Sequence, residues 1–440
     1  MLTKTLYPKK FVGLIFFLWS VTLQAQTTSL TTPENLVVNE QEAIALFYQY
    51  NLSFIAAKFN IDTARAEEII AGAIPNPVFT FTVSTFSPKI FQAAYRANNP
   101  GAPLPAFSPQ IEQLIETAGK RRLRMESRAF ATEAIKFDLQ DTARVLTNTV
   151  RRSYYTLLLA QKISQVADNN YEHYREIIRV NEIRLKTGDI AAISFMRIEI
   201  ESLKAQADQD QARTALNQAR ADLLLVLGWP ENSMKILAAE IWPEANPEIA
   251  LAEQDQLVDH ALEMRPDMQS ARARIDQAKK MLTLAERLVV PDITVGGFYQ
   301  RDPGNFITQS GGVSISMPLP LWYQQEGQIS SARTNLNSAE LELRRTKQEV
   351  QTEVMKAVSS WQSANTIAKR FEASVIDRIE KLRKSQAIAY QKGAIGLLDL
   401  IDAERNYKIM MLDYYTTLAN RSRAWADLLM AYGEETQVKL

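Results

Sequence analysis

Gly119-Lys120, the pairs His173/Glu176 and His260/Glu263, and the pair Asp399/Asp402 are the residues whose types and spacing could do chemistry. A glycine before a lysine suggests a phosphate loop, in which backbone N–H groups cradle phosphate oxygens and the lysine neutralises them. That loop also needs a glycine five residues before Gly119 and a Ser or Thr after the lysine. Leu114 and Arg121 stand there instead, so a phosphate loop is excluded. Each His/Glu pair has the i, i+3 spacing that sets two metal ligands on one helix face. With only 2 histidines in the chain, no cysteine and no third ligand motif, both pairs read as solvated surface, and no metal or cofactor site is assigned. No Ser, His or Asp stands in a nucleophile elbow or a comparable turn, so no catalytic residue is assigned and the chain reads as a non-enzyme.

Asp399 and Asp402 face the same way just after Gly393 and Gly396. Acids in the first turns of a helix gain about 0.3–1 kcal/mol each from its dipole. The pattern by itself favours that account over a functional one.

The elements that must position these residues follow from punctuation. All 17 prolines fall outside residues 110–229 and 321–440, where an Ala, Leu, Glu, Arg and Gln-rich composition reads as helix. In the second window Ile329, Ala332, Leu336, Ala339, Leu343, Thr346 and Val350 step by three and four. After a slip, Val354, Ala357, Trp361, Ala364, Ala368, Phe371 and Val375 continue a coiled-coil seam. Each window breaks once, at Lys186-Thr187-Gly188-Asp189 and at Gln391-Lys392-Gly393-Ala394, where the glycine supplies the positive φ that ends a helix. The helix entering each break would run roughly 65 residues, about 100 Å, so each window is a long helical hairpin with its tip at Gly188 or Gly393.

The windows are copies. Gly188 and Gly393 differ by 205, as do Gly228 and Gly433, while Ile61-Asp62 matches Ile275-Asp276 and Pro77 matches Pro291 at 214. The expected organisation is a signal peptide over 1–25, a first repeat over 26–250 with an equatorial segment at 229–250, and a second repeat over 251–440. Each repeat carries a strand pair, about 78–116 and about 292–320. Phe79, Phe81 and Val83 alternate with Thr80, Thr82 and Ser84, before a Pro-rich loop near Pro100 to Pro109 and a shorter strand around Ile111 to Ile115. Ile293, Val295, Gly297 and Tyr299 precede a turn at Asp302-Pro303-Gly304-Asn305, and Val313, Ile315, Met317 and Leu319 follow it. Such half-apolar strands suit a small soluble sheet or a lipid-facing wall. Four of them cannot close a barrel, which needs about eight strands, so if they cross a membrane several chains share one barrel.

At the N-terminus Lys4, Lys9 and Lys10 precede the apolar run Phe11 to Leu23 and the small residue Ala25, the order of a secretory signal, so the mature chain is expected to begin near Gln26. Past Ala25 no stretch approaches the ~18 apolar residues of a membrane-spanning helix. Charge is balanced, Lys+Arg 50 against Asp+Glu 50, and no nucleic-acid partner is implied. The lack of cysteine excludes disulfides and an N-terminal lipidated cysteine.

Over nearly the whole mature length the sequence resembles the TolC family of outer-membrane efflux channels. The features that carry this are the doubled order of helix, strands and hairpin, and several local matches. These are Gly119-Lys120-Arg121-Arg122, Tyr154-Tyr155 with Leu157-Leu158-Leu159-Ala160, Met317-Pro318-Leu319-Pro320-Leu321-Trp322 with Gly327, and Gly393 followed by Leu398-Asp399-Leu400-Ile401-Asp402-Ala403. The Gly-Lys-Arg and Pro-Leu-Pro-Leu elements look closest to the heavy-metal branch, the CzcC and CusC type.

The resemblance implies a fold that is mainly α with a small transmembrane β part. A homotrimer would build one β-barrel of about twelve strands, four from each chain, above an α-barrel tunnel. Residues from Trp229 to Pro247 and those after Gly433 would form a belt around it. The resemblance also implies outer-membrane lipid around the barrel, a Gram-negative outer-membrane location, and two partners, a periplasmic adaptor and an inner-membrane exporter of the RND type. The chain would be a passive duct, with heavy-metal cations as the preferred cargo and a drug-efflux or type I secretion duct as the alternative. A periplasmic coiled-coil adaptor is the remote one, and the β-rich insert it would need interrupts neither window. Lys120, Arg121, Arg122 and Arg124 would sit solvated at the barrel-to-helix junction. Asp399 and Asp402 match aspartates that ring the periplasmic aperture, and Tyr390 matches a tyrosine that helps hold it closed. Ile395 and Ser194 depart from the family's pattern of an arginine and an aspartate at these places.

Overall fold

Long proline-free stretches leave nothing to interrupt the i to i−4 ladder, and both windows fold as helical hairpins. The computed structural model describes residues 35–84, 106–229, 235–303, 307–374 and 376–433. The expected signal peptide, the loop residues 100–105, the turn residues Gly304 and Asn305, Val375 and the residues after Gly433 lie outside them. In the first copy the order is β1 (Asn35–Val38), α1 (Glu40–Tyr50), α2 (Leu52–Gly72), β2 (Val78–Ser84), β3 (Ala106–Ile115), α3 (Lys120–Lys186) and α4 (Ala192–Leu227). Between the copies lie β4 (Lys235–Ala238) and the short α5 (Pro247–Ala250). The second copy is α6 (Gln254–Met264), α7 (Pro266–Arg287), β5 (Ile293–Pro303), β6 (Ile307–Ser316), α8 (Glu326–Ser374), α9 (Ile376–Gln391) and α10 (Leu397–Tyr432).

At 67 residues, α3 is about 100 Å long. Most helical stability in proteins comes from a packed face, and along α3 the stripe Leu139, Ala143, Val150, Tyr154, Leu157 and Leu158, all buried, supplies it. On α8 the predicted seam faces inward. Val350, Val354, Ala357 and Trp361 are buried, and Leu336 and Leu343 nearer the sheet are half-buried.

The strands form one antiparallel sheet in the order β2-β3-β5-β6. Residues opposite one another share a face, so Phe79, Phe81, Ile111, Val295, Ile315 and Val313 line one side, and Thr80, Thr82, Gln110, Thr294, Ser314 and Ser316 the other. The apolar side is open in a single chain, with Phe79 66% and Val313 76% exposed. Strands of 10, 11 and 10 residues in β3, β5 and β6 match the ~9–11 residues of a tilted membrane-crossing strand. Pro109, read as loop from the sequence, lies in β3 opposite Phe81. The ladder to β5 passes from Phe107↔Arg301 to Gln110↔Phe298, and this gap accommodates a residue with no N–H to donate. Among the described residues no helix is long and apolar enough to cross a membrane.

Two hydrophobic cores sit partway along the hairpins and repeat each other. Phe47, Phe54, Leu223 and Leu224 in the first stand where Ala261, Met268, Leu428 and Leu429 stand in the second. A short parallel pair, β1 with β4, covers the first core through Val38 and Ile236, both buried. Sequence reading did not find it, because four residues carry too little pattern to be told from loop.

Candidate aperture and the contacts that hold it

Both hairpin tips are built alike. Gly188 and Gly393 take φ of 79° and 74°, and each closes its helix with a tight turn, Asp189 N–H to Arg184 O at 2.8 Å and Ala394 N–H to Ala389 O at 2.8 Å. Just past the second tip, Asp399 is exposed and its Oδ2 accepts the Gly396 N–H at 3.0 Å, so its carboxylate caps the start of α10. One turn on, Asp402 is also exposed and lies 3.7 Å from Arg405 Nη1. Ser194, the repeat mate of Asp399, makes no such cap at the start of α4.

Tyr390 sits apart from this pair. It is buried against the first hairpin, its hydroxyl donates to Asn181 Oδ1 at 2.5 Å, and the Arg184 guanidinium lies 4.9 Å over its ring. Asn181 is fully buried and donates from Nδ2 to Ile177 O at 2.8 Å. The structure therefore brings Tyr390 to the inter-hairpin contact and leaves the two aspartates at the open end.

Above the tip a ladder of charges joins the hairpins. Arg405 donates from Nε to Glu201 Oε2 at 3.2 Å, Lys408 binds Asp208, and Arg383 reaches both His173 Nε2 at 2.7 Å and Glu404 Oε2 at 3.7 Å. The Arg383 guanidinium also stacks on Tyr407 at 4.2 Å. None of Asn181, Glu201, Asp208, Arg383, Glu404, Arg405 or Lys408 was singled out from sequence. A usable signal existed, since residues one repeat length apart lie at equal height on adjacent hairpins, and Glu201/Arg405 and Asp208/Lys408 are separated by 204 and 200.

His173 is exposed, as expected, and accepts from Arg383. Two sequence readings need correction here. His260 is half-buried, its ring stacked on Tyr432 at 4.0 Å with Nδ1 3.3 Å from the Tyr432 carbonyl. The basic cluster at the start of α3 is not solvated as a group. Lys120 is 4% exposed and donates from Nζ to Val290 O at 2.5 Å and Asp292 Oδ1 at 2.8 Å. Arg121 donates to Gly72 O at 2.6 Å and Arg124 pairs with Glu116, leaving Arg122 exposed apart from a 3.6 Å approach to Glu126. Lys120 is drawn in by the turn between α7 and β5, Arg121 by the end of α2 and Arg124 by the residue after β3, which a one-dimensional charge pattern cannot show.

The ladder titrates. Although much of the His173 residue is exposed, desolvation where the helices pack, and next the Arg383 charge, lower its pKa below 6.5. Burial raises the pKa of Glu404 above 4.5, against the pull of Arg383. The groups facing them are Arg383 on α9 and Tyr407 on α10, with the Glu201–Arg405 pair alongside. For His173 the unfolded chain binds its proton first, so stability falls as pH drops below about 6.5 toward the folded value. For Glu404 the sign is opposite: the folded chain holds the proton longer, and stability present at low pH is lost as pH rises through its raised pKa. His173→Gln is expected to remove the loss below about pH 6.5, leaving a melting midpoint that rises on acidification; a parallel fall in variant and wild type would contradict this.

Among the described residues no group of three or more His, Cys, Asp or Glu converges as a metal site. A model of the family described as outer membrane efflux protein matches residues 44–229 and 257–434. The cobalt-zinc-cadmium resistance protein CzcC of Cupriavidus metallidurans is 21% identical over 384 residues, covering 87% of this chain and 87% of its own. Nodulation protein T of Rhizobium leguminosarum bv. trifolii is 23% identical over 394 residues, with 86% and 81% covered. The fold matches the Campylobacter jejuni CmeC outer membrane channel with a TM-score of 0.73 at 15% identity, over 90% of this chain and 85% of that one.

Proposed function

The chain belongs to the outer membrane efflux protein family, an efflux channel of the Gram-negative outer membrane and not an enzyme, and we propose that three copies of it build one duct. The observation that carries this is the open four-stranded sheet. Its apolar face is uncovered, and among the described residues its edge strands β2 and β6 have partners on one side only. An exposed edge beside an apolar face is a standing liability unless lipid covers the face and another strand the edge. Three sheets of four strands, closed edge to edge, meet both needs, with the helices as a tunnel toward a periplasmic adaptor and an RND-type exporter. In this reading Tyr390 holds the hairpins together near the tip, and Asp399 and Asp402 ring the entrance.

The test uses purified protein in mild detergent and in planar bilayers. A trimer mass and stable conductance are expected, and a folded monomer would end the shared-barrel reading. Asp399→Asn with Asp402→Asn keeps the helix cap, which Asn also supplies, and removes only charge. Cation selectivity and block by a trivalent cation should both weaken several-fold, because the acids from all copies would sum their potentials in one passage. Unchanged selectivity would leave Asp399 a helix cap and nothing more. Heavy-metal cations are the cargo this reading favours, supported by the likeness to CzcC and by an acidic entrance. A strain lacking the protein should then lose tolerance to cobalt, zinc and cadmium, whereas sensitivity to drugs alone would favour the drug-efflux alternative.

A further inference from the structure

The two repeats leave the sheet by different routes. Lys120 and Glu326 open the long helices α3 and α8, each directly after a left-handed residue, Gly119 (φ 70°) and Gln325 (φ 67°), so the two approaches compare position by position. In the first copy Ile111 to Ile115 stay in strand, paired with β5 as far as Ile115↔Ile293. Their mates, Met317 to Leu321, lie beyond the end of β6 at Ser316. Pro318 and Pro320 also lack the N–H with which a strand binds a neighbour. Past Ile115 the first copy turns into its helix through polar links: Glu116 pairs with Arg124, and Thr117 donates to Pro291 O at 2.7 Å and to Asp292. The mates of Glu116 and Thr117 are Trp322 and Tyr323.

This overhang carries on the apolar side of the sheet. Val313 and Ile315 on β6 are followed at the same spacing by Met317 and Leu319, 51% and 61% exposed. The chain then turns, with Leu321 N–H donating to Leu319 O at 2.8 Å, and presents Leu321 at 67% and Trp322 at 92%. Tyr323 folds back on the start of α8, where its hydroxyl donates to Gln328 Oε1 beside Gly327. Gln324, Gln325 and Glu326 follow at once, all polar.

We propose that Met317–Trp322 is a foot set in the glycerophospholipid leaflet on the periplasmic side of the outer membrane, with Trp322 at headgroup level. Continuity with the apolar face of the sheet gives the occupant, since whatever covers Val313 and Ile315 extends over Met317 and Leu319. The depth follows from position. The segment hangs from the end of the strands where the long helices begin, and tryptophan is favoured where hydrocarbon meets water. The backbone is suited to such a place, because an unpaired donor in lipid is costly. Pro318 and Pro320 have no donor, Leu321 N–H is satisfied within the segment, and Gln324 N–H is taken by Glu326 Oε2 at 3.1 Å. Each chain would set one foot, from its second copy alone, because the corresponding residues of the first copy are held in polar links.

This inference rests on the lipid-facing reading of the sheet, and the experiment separates the two. Purified protein is reconstituted in phosphatidylcholine vesicles brominated at shallow or deep positions of the acyl chains, and its tryptophan emission is recorded. Trp229, Trp242, Trp361 and Trp425 lie in or against the two cores, away from the sheet. Quenching should therefore come from Trp322, be stronger with shallow than with deep bromine, and fall several-fold in Trp322→Phe, a conservative change whose fold is checked by helical ellipticity. Quenching that survives unchanged in Trp322→Phe overturns the foot, as does a Trp322 quenched by aqueous acrylamide and not by bromine. A Trp322 reached by neither quencher also overturns it, and would place the residue against another polypeptide. Val313→Trp in the Trp322→Phe protein reports the sheet itself. Bromine quenching there with none at Trp322 overturns the foot alone, and quenching at neither position overturns the lipid-facing sheet as well.

Discussion

Arg265→Ala is expected to lower the stability of the folded chain by about 3 kcal/mol. Arg265 is 2% exposed at the joint between α6 and α7, where its guanidinium donates to Asp267 Oδ2 at 2.7 Å, Glu353 Oε2 at 2.8 Å and Ala431 O at 3.3 Å. It thus ties the second repeat's short helices to both long helices of the second hairpin. Burial disfavours the charge, but Asp267 and Glu353 outweigh it and raise the pKa. Removing one partner of a buried pair costs ~3–5 kcal/mol, and the lower figure applies because Asp267 and Glu353 are 23% and 48% exposed and regain water. The first repeat makes the same joint with a smaller side chain. Asn51 donates to Val226 O at 2.8 Å, one repeat length before Ala431, and caps α2 by accepting from Phe54 N–H at 2.8 Å. Asn51→Ala should cost only about 1–2 kcal/mol. Urea unfolding followed by helical ellipticity measures both, and a loss for Arg265→Ala no larger than for Asn51→Ala would show that the ion pairs contribute nothing beyond the joint's hydrogen bond.

Gly228→Ala should be at least as damaging. Gly228 has φ of 72°, where an L side chain costs roughly 1–2 kcal/mol, and a Cβ there would lie 2.6 Å from Tyr50 O and 2.8 Å from Asn51 Cα. Both contacts are backbone, so neither can swing away, and relief requires the return helix α4 to withdraw from the joint. A total of about 3 kcal/mol or more follows, enough to lower the accumulation of folded protein in the outer membrane several-fold. Gly188→Ala is the control. Its φ is 79° but a Cβ meets nothing within 4 Å, so only the conformational cost of ~1 kcal/mol remains. Equal losses from the two substitutions would mean that the close approach at Gly228 is relieved by a backbone shift.

Most of the architecture was legible because it is written in long-period signals. Proline exclusion, the heptad-like seam through Val354 and Trp361, the tip glycines and the 205-residue spacing each sum over many residues, so local exceptions do not erase them. Strand alternation at Phe79–Val83 was legible for the same reason. The short parallel pair β1–β4 was not, nor was Pro109 within β3, since each depends on a partner far along the chain.

By itself, then, the sequence determined the repeat, the hairpins, four strands too few to close a barrel within one chain, and the positions of Asp399, Asp402 and Tyr390 near one tip. Only the tertiary structure decided what those side chains touch: that Asp399 caps Gly396, that Tyr390 binds Asn181, that Lys120 is buried on Asp292, and that Phe59 and Ile70 stand bare where their mates are covered. The physical reason is that periodicity assigns a residue to a face of its own element, whereas burial, pairing and pKa are set by whichever element lies opposite. In a protein folded from two copies of one plan, those opposing elements differ between the copies, so Ala273 and Leu284 are covered while Phe59 and Ile70 are exposed.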